Sequence, residues 1–256
     1  MRKNKKVKKT PGIKTISIHH GDSFSEDTGS IMPPIFSTST FTHGNKSNFD
    51  YTRSGNPNFT ILENVLRAIE DANHCTVFGS GIAAVTAITS CMQSGDIILC
   101  ESNLYGCTIR MFEKVFKKFG IKIFYCDFTN KEYIKCISEI NPTLIWLESP
   151  TNPLLKVLNL EEICDLASSK NIPVVVDNTF CTAIIQNPLK LGATLSLIST
   201  TKFINGHSDA LGGAVITDDE EWNKKMIFAQ KSLGLNPSPF DCWLITRGLK
   251  TLPLRI

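Results

Sequence analysis

Nowhere in its 256 residues does the sequence approach the run of ~20 apolar residues that a membrane-spanning helix needs. It contains no CxxC pair, and its five histidines and nine cysteines show no metal-ligand spacing, which argues against zinc. The cysteine count is odd, and Cys100, Cys126 and Cys164 sit in apolar segments. Free buried thiols in a reducing, cytoplasmic compartment are expected. Acidic residues are absent from the first fourteen positions, MRKNKKVKKTPGIK, which hold seven of the 27 Lys and Arg residues. The remainder carries 20 basic against 24 acidic residues, so the formal +3 belongs to the tail. No apolar segment follows the tail, so it does not read as a secretory signal. It reads as a solvated arm. An acidic body without a recognition motif argues against nucleic acid as the partner.

What is present falls into two parts. Residues 1–50 show little periodicity and many polar breaks, and are expected to form a basic tail and an extended arm. Residues 51–256 alternate helical and strand signals. TILENVLRAIEDA sets Leu62, Val65, Leu66 and Ile69 on one helical stripe. Short apolar runs occur at 75–78, 96–100, 121–127, 143–148, 173–177, 195–199 and 212–217, most of them separated by helical stretches, including one expected near 105–118. This alternation predicts an α/β fold with a mainly parallel sheet sandwiched by helices, its strands buried on both faces.

In such sheets ligands bind beyond the carboxyl ends of the strands. The residues found there share a chemistry. Gly79-Ser80-Gly81, leading into a helix with Ile82, offers backbone N–H groups to a phosphate. Ser199 and Thr201 add hydroxyls. Asp177 can hold a protonated ring nitrogen, and Tyr105 can stack on an aromatic ring. Lys202 closes an apolar strand and can condense with an aldehyde. Taken singly, each has an ordinary structural reading as a turn, a helix cap or loop chemistry. Their joint placement at strand ends describes pyridoxal 5′-phosphate (PLP).

STTKFINGHSD (199–209) resembles the cofactor-lysine signature of the Cys/Met-metabolism PLP-dependent enzymes, the transsulfuration family. YTRSGNP (51–57), GSGIAA (79–84), LYGCT (104–108), ESPTNP (148–153), VVDNTF (175–180) and RGLKTLPLRI (247–256) resemble its other landmarks, in order. The resemblance implies a fold type I PLP-dependent transferase-like domain. It implies that Lys202 is joined to the cofactor and moves protons between substrate carbons. Asp177 would pair with the ring nitrogen and Tyr105 would stack on the ring. Gly81, Ile82, Ser199 and Thr201 would bind the phosphate, and Asn152 would touch the ring hydroxyl. Tyr51 and Arg53 would reach the phosphate of a neighbouring subunit, making a homodimer or homotetramer.

The family acts on small amino-acid substrates by several reactions. Cys107 resembles methionine γ-lyase. Arg110 resembles enzymes whose substrate carries a second carboxylate, and it weighs more, because a guanidinium without that partner would be costly. The expected activity is cystathionine γ-synthesis, the γ-replacement of an O-acylhomoserine by cysteine. Cystathionine γ- or β-lyase, methionine γ-lyase and a non-catalytic PLP-binding domain are the alternatives. The smaller C-terminal domain that relatives carry after RGLKTL is expected to be missing.

Overall fold

The structure is a computed structural model and describes residues 11–20 and 29–256. The expected lysine-rich tail therefore lies largely outside the described residues. In chain order the elements are α1 (Ile13–His19), α2 (Pro57–Glu70), β1 (His74–Phe78), α3 (Gly81–Thr89), β2 (Ile97–Glu101), α4 (Gly106–Lys114), β3 (Lys122–Cys126), α5 (Glu132–Ile140) and β4 (Leu144–Glu148). They continue with α6 (Leu160–Ser168), β5 (Val174–Asp177), α7 (Thr182–Ile185), β6 (Leu195–Ile198), β7 (Gly213–Thr217), α8 (Glu220–Ser232), α9 (Pro239–Leu249) and α10 (Leu252–Arg255).

Local chemistry accounts for where several helices start. Asn56 caps α2 by accepting the Asn58 N–H, with Pro57 in the first turn. Ser238 and Pro239 repeat the device in α9. Asp219 caps α8 by accepting the N–H groups of Glu221 and Trp222. At its far end α2 stops on Asp71, which adopts a left-handed conformation.

The seven strands form one sheet in the order β1-β7-β6-β5-β4-β2-β3. The pairs from β6 to β3 are all parallel, while β7 runs antiparallel to both β6 and β1. The carboxyl ends of β1 to β6 therefore emerge at one edge, where β7 begins. Alternate side chains enter different cores. Leu144 and Trp146 of β4 join Phe112 and Ile88 on one face, and Ile145 and Leu147 join Ile163 and Ile137 on the other. A third cluster seats α2 and α9 against β1 and β7 through Leu62, Leu66, Val77, Ile216 and Ile245. Phe112 meets Trp146 edge-on, with ring centroids 5.1 Å apart.

The arm carries one helix among the described residues, α1, which packs on α2 and α10 through Ile13 and Ile16. Three expectations need correction. The helix expected over 105–118 ends at Lys114. A tighter turn over Phe116–Phe119 comes next and closes on Gly120 at a φ of 82°. β3 is an edge strand with Lys122, Phe124 and Tyr125 exposed, so it is not buried on both faces. Cys126 and Cys136 are paired as a disulfide, because α5 folds back on β3, and the other seven thiols are free. Among the described residues no helix is long and apolar enough to cross a membrane.

Candidate active site

At the carboxyl edge of the sheet lies a cavity of about 1500 Å³. Its walls include Gly81, Ile82, Tyr105, Arg110, Asn152, Asp177, Ser199, Thr201 and Lys202. These residues come from several different strand-to-helix or strand-to-turn connections, so the parallel sheet brings them together. Tyr51 and Arg53 do not line it. They border a separate, shallower recess, where the Arg53 guanidinium lies over the Tyr51 ring and donates to the Lys231 carbonyl at 2.8 Å.

At one end of the cavity α3 begins. Ser80 accepts the Ala83 N–H through its side chain at 3.1 Å and the Ala84 N–H through its carbonyl at 3.1 Å. The Gly81 and Ile82 N–H groups have no acceptor among the described residues. They sit at the positive end of the helix dipole. Opposite them is Ser199, so close that a Cβ on Gly81 would lie 2.8 Å from that of Ser199. The two expected hydroxyls differ. Thr201 is held by Gly212, accepting its N–H at 3.0 Å and donating to its carbonyl at 3.2 Å. Ser199 has no side-chain partner among the described residues, while its N–H donates to Thr179 Oγ1 at 2.8 Å.

Deeper in, Asp177 closes β5. Its carboxylate is buried and accepts the Thr179 N–H at 3.0 Å. Burial pushes its pKa up, and the Thr179 bonds only partly oppose that. No lysine or arginine among the described residues pairs with it. Its register neighbour at the end of β4 is a second buried acid, Glu148, which burial and the Asp177 charge hold up at about 8. Glu148 Oε2 accepts the backbone N–H of Tyr105 at 2.6 Å.

Tyr105 stands at the N-terminus of α4 with its ring 41% exposed toward the cavity. A hydrogen bond to the Cys107 thiol holds its phenol above the ordinary range. Arg110, one turn on, is exposed and directs Nη1 to Cys107 Sγ at 3.7 Å. Lys202 comes after β6 in a turn tied by its own N–H to the Ser199 carbonyl (3.2 Å) and by the Gly206 N–H to the Lys202 carbonyl (2.8 Å). It lines the open cavity as an exposed residue.

A PLP molecule fits these groups. The unpaired N–H groups of α3 and the close approach of Gly81 to Ser199 form a cradle for a phosphate. The buried Asp177, without a cation of its own, suits a protonated ring nitrogen. The profile of the family described as "Cys/Met metabolism PLP-dependent enzyme" matches residues 14–256. The chain belongs to that family. Among its members, a probable cystathionine γ-synthase of Herpetosiphon aurantiacus is 40% identical over 248 residues, covering 96% of this chain and 78% of that one. A putative cystathionine γ-lyase 2 of Caenorhabditis elegans is 42% identical over 253 residues, covering 96% of this chain and 64% of that one. The crystal structure of metB from Corynebacterium glutamicum superposes with a TM-score of 0.92 at 40% identity, covering 96% of this chain and 65% of that one. The chain thus spans just under two thirds of the nematode relative and of the solved structure.

Reading the sequence alone missed three residues that shape this family site. Glu148 stood at the head of the ESPTNP stretch without an assigned role. Thr179 joins the ends of β5 and β6 through Asp177 and Ser199. Arg255 donates to the carbonyls of Phe203 (2.6 Å), Ile204 (3.1 Å) and Gly248 (2.9 Å), and so holds the turn after Lys202.

Proposed function

We propose that this chain carries the PLP-binding machinery of a transsulfuration enzyme and that its reaction is cystathionine γ-synthesis. One observation carries the reading. Lys202, Asp177, Tyr105 and the start of α3 border a single cavity, and among the described residues no lysine or arginine pairs with Asp177. PLP supplies an electron sink for negative charge developing at the substrate α-carbon. The chain's residues do the rest. Gly81, Ile82 and Ser199 bind the phosphate, and Thr201 holds Gly212 against that loop. Asp177 keeps the ring nitrogen protonated, which a neutral carboxyl could not do as well. Tyr105 stacks on one ring face, and Asn152 meets the ring hydroxyl. Lys202 Nζ, which lines the same cavity, would take the proton from the substrate α-carbon and return it.

The choice of reaction rests on Arg110. Its guanidinium lines the cavity, and its only hydrogen-bond partner among the described residues is the Cys107 sulfur. A distal substrate carboxylate would complete it with a charge-assisted bond. Both cystathionine and a succinylated homoserine carry such a group, and methionine does not. Relatives named synthase and relatives named lyase both stand near 40% identity, so γ-elimination of cystathionine is the second reading. Tyr51 and Arg53, away from the cavity of their own chain, are assigned to the phosphate of a second copy.

The test begins with PLP and borohydride. Reduction should fix a pyridoxyl mass on the peptide bearing Lys202, and Lys202→Ala should lose it. O-succinylhomoserine with cysteine should then yield cystathionine. Release of ammonia and a keto acid from cystathionine alone, without synthesis, would favour the lyase. Fixation on a different lysine would overturn the cofactor assignment.

A further inference from the structure

Glu148 has no part in the mechanism above, yet it bonds to two separate parts of the site. Its carboxyl, 5% exposed, stands beside Asp177 in the β4–β5 register. Oε2 accepts the Tyr105 N–H at 2.6 Å, and the Asn152 N–H donates to the same carboxyl. Tyr105 has no side-chain cap for α4, so Glu148 anchors the start of that helix from outside it. It also fixes the turn that carries Asn152. One group thereby sets two residues assigned to the cofactor ring.

Its surroundings also bear on its charge. Asp177 faces it from β5, Glu101 from β2 and Tyr105 from α4, and none of these is a cation. Arg110, the guanidinium on α4, is directed to Cys107. Two carboxylates at neighbouring strand ends, both out of water, cannot both ionise cheaply. Burial and the Asp177 charge push Glu148 up to about 8. A protonated glutamic acid still accepts N–H donors through its carbonyl oxygen.

We propose that Glu148 is a positioning residue that, as a neutral acid, fixes Tyr105 and Asn152 against the cofactor ring and leaves Asp177 the single negative charge beneath the ring nitrogen. The inference rests on the PLP reading above. It predicts that reach matters and charge does not.

Two variants separate these. Glu148→Gln keeps the acceptor at the same distance without a charge. Glu148→Asp keeps the ionisable carboxyl and withdraws the acceptor by one methylene. PLP affinity, titrated by absorbance on the apo-protein, should stay within about threefold of wild type in E148Q and fall about tenfold or more in E148D. The induced circular dichroism of bound PLP should weaken in E148D and in Tyr105→Ala, with no further loss in the double variant. A role in the fold alone would not produce that coupling. Equal effects in E148Q and E148D, or a larger effect in E148Q, would overturn the inference while leaving the cofactor reading intact. Failure of the wild-type protein to bind PLP would remove both.

Discussion

Gly81 and Ser199 touch where α3 begins, and there is no room between them for a methyl group. A Cβ on Gly81 would lie 2.8 Å from Ser199 Cβ and 2.9 Å from its Oγ. The hydroxyl could rotate away, but Ser199 Cβ is fixed by a strand end whose N–H is held by Thr179. Gly81→Ala therefore forces α3 and β6 apart, at a cost of about 1–3 kcal/mol. The fold should survive, because the contact is local. PLP affinity should fall about tenfold or more in an absorbance titration, with the far-UV spectrum unchanged. Unaltered affinity would mean that the anion does not sit at this helix start.

Arg255 supports a second prediction. Its guanidinium donates to three carbonyls, of Phe203, Ile204 and Gly248, and its Nε donates to Thr251 Oγ1 at 2.9 Å. No carboxylate pairs with it among the described residues. Arg255→Ala frees the turn beyond Lys202 and should cost about 1–3 kcal/mol, read as a lower thermal midpoint. Borohydride fixation of PLP at Lys202 should slow at the same time. Arg255→Lys should rescue little, since an ammonium cannot span the carbonyls that the guanidinium fork reaches. Full rescue by lysine would show that the charge alone matters.

Much of this site was legible in the sequence because a parallel sheet collects its strand ends. Gly81, Asp177, Ser199 and Lys202 each stand at or just beyond the end of an apolar run, and the structure has them lining one cavity. The features that escaped did so for identifiable reasons. The bonds of Arg255 go to backbone carbonyls, which no residue pattern announces. Glu148 acts through the N–H groups of Tyr105 and Asn152, and a lone acid after a strand looks like any helix cap. Cys126 and Cys136 are brought together by the way α5 packs, which their ten-residue separation does not reveal. β3 carries the same apolar signal as its neighbours, and only the strand order makes it an edge.

Arg110 gives a prediction about substrate choice. Its exposed guanidinium has the Cys107 sulfur as its only hydrogen-bond partner among the described residues, so it is available to an anion in the cavity. Arg110→Ala should raise KM for O-succinylhomoserine about tenfold or more and leave kcat nearly unchanged, the pattern of a lost binding contact. O-acetylhomoserine, which lacks the distal carboxylate, should respond far less. Equal effects on both substrates would place Arg110 outside the substrate subsite.

Glu70 should make the fold more stable in mild acid than in base. It is buried on α2; Oε1 accepts the Ser196 hydroxyl at 3.0 Å and Oε2 has no partner among the described residues. Burial pushes it up to about 8, and the Ser196 bond only partly opposes this. In the unfolded chain a glutamate ionises near ~4.3. Below that pH both states hold the proton and the group has no differential effect. As pH rises from there toward 8, the unfolded chain releases the proton and the folded chain keeps it, so stability falls. Above about 8 the cost of the buried charge is fully expressed. Glu63, held up at about 7 by burial against the Val77 N–H bond, adds a slope of the same sign. Glu70→Gln removes one contribution. Its carbonyl still accepts from Ser196, while its amide takes the unpartnered position and costs a pH-independent amount. Urea unfolding from pH 5 to 8.5 should therefore show the variant gaining on wild type steadily as pH rises, by more than about 1 kcal/mol across the range. Parallel curves would mean that Glu70 ionises normally inside the fold, and that water or a rearranged side chain reaches Oε2.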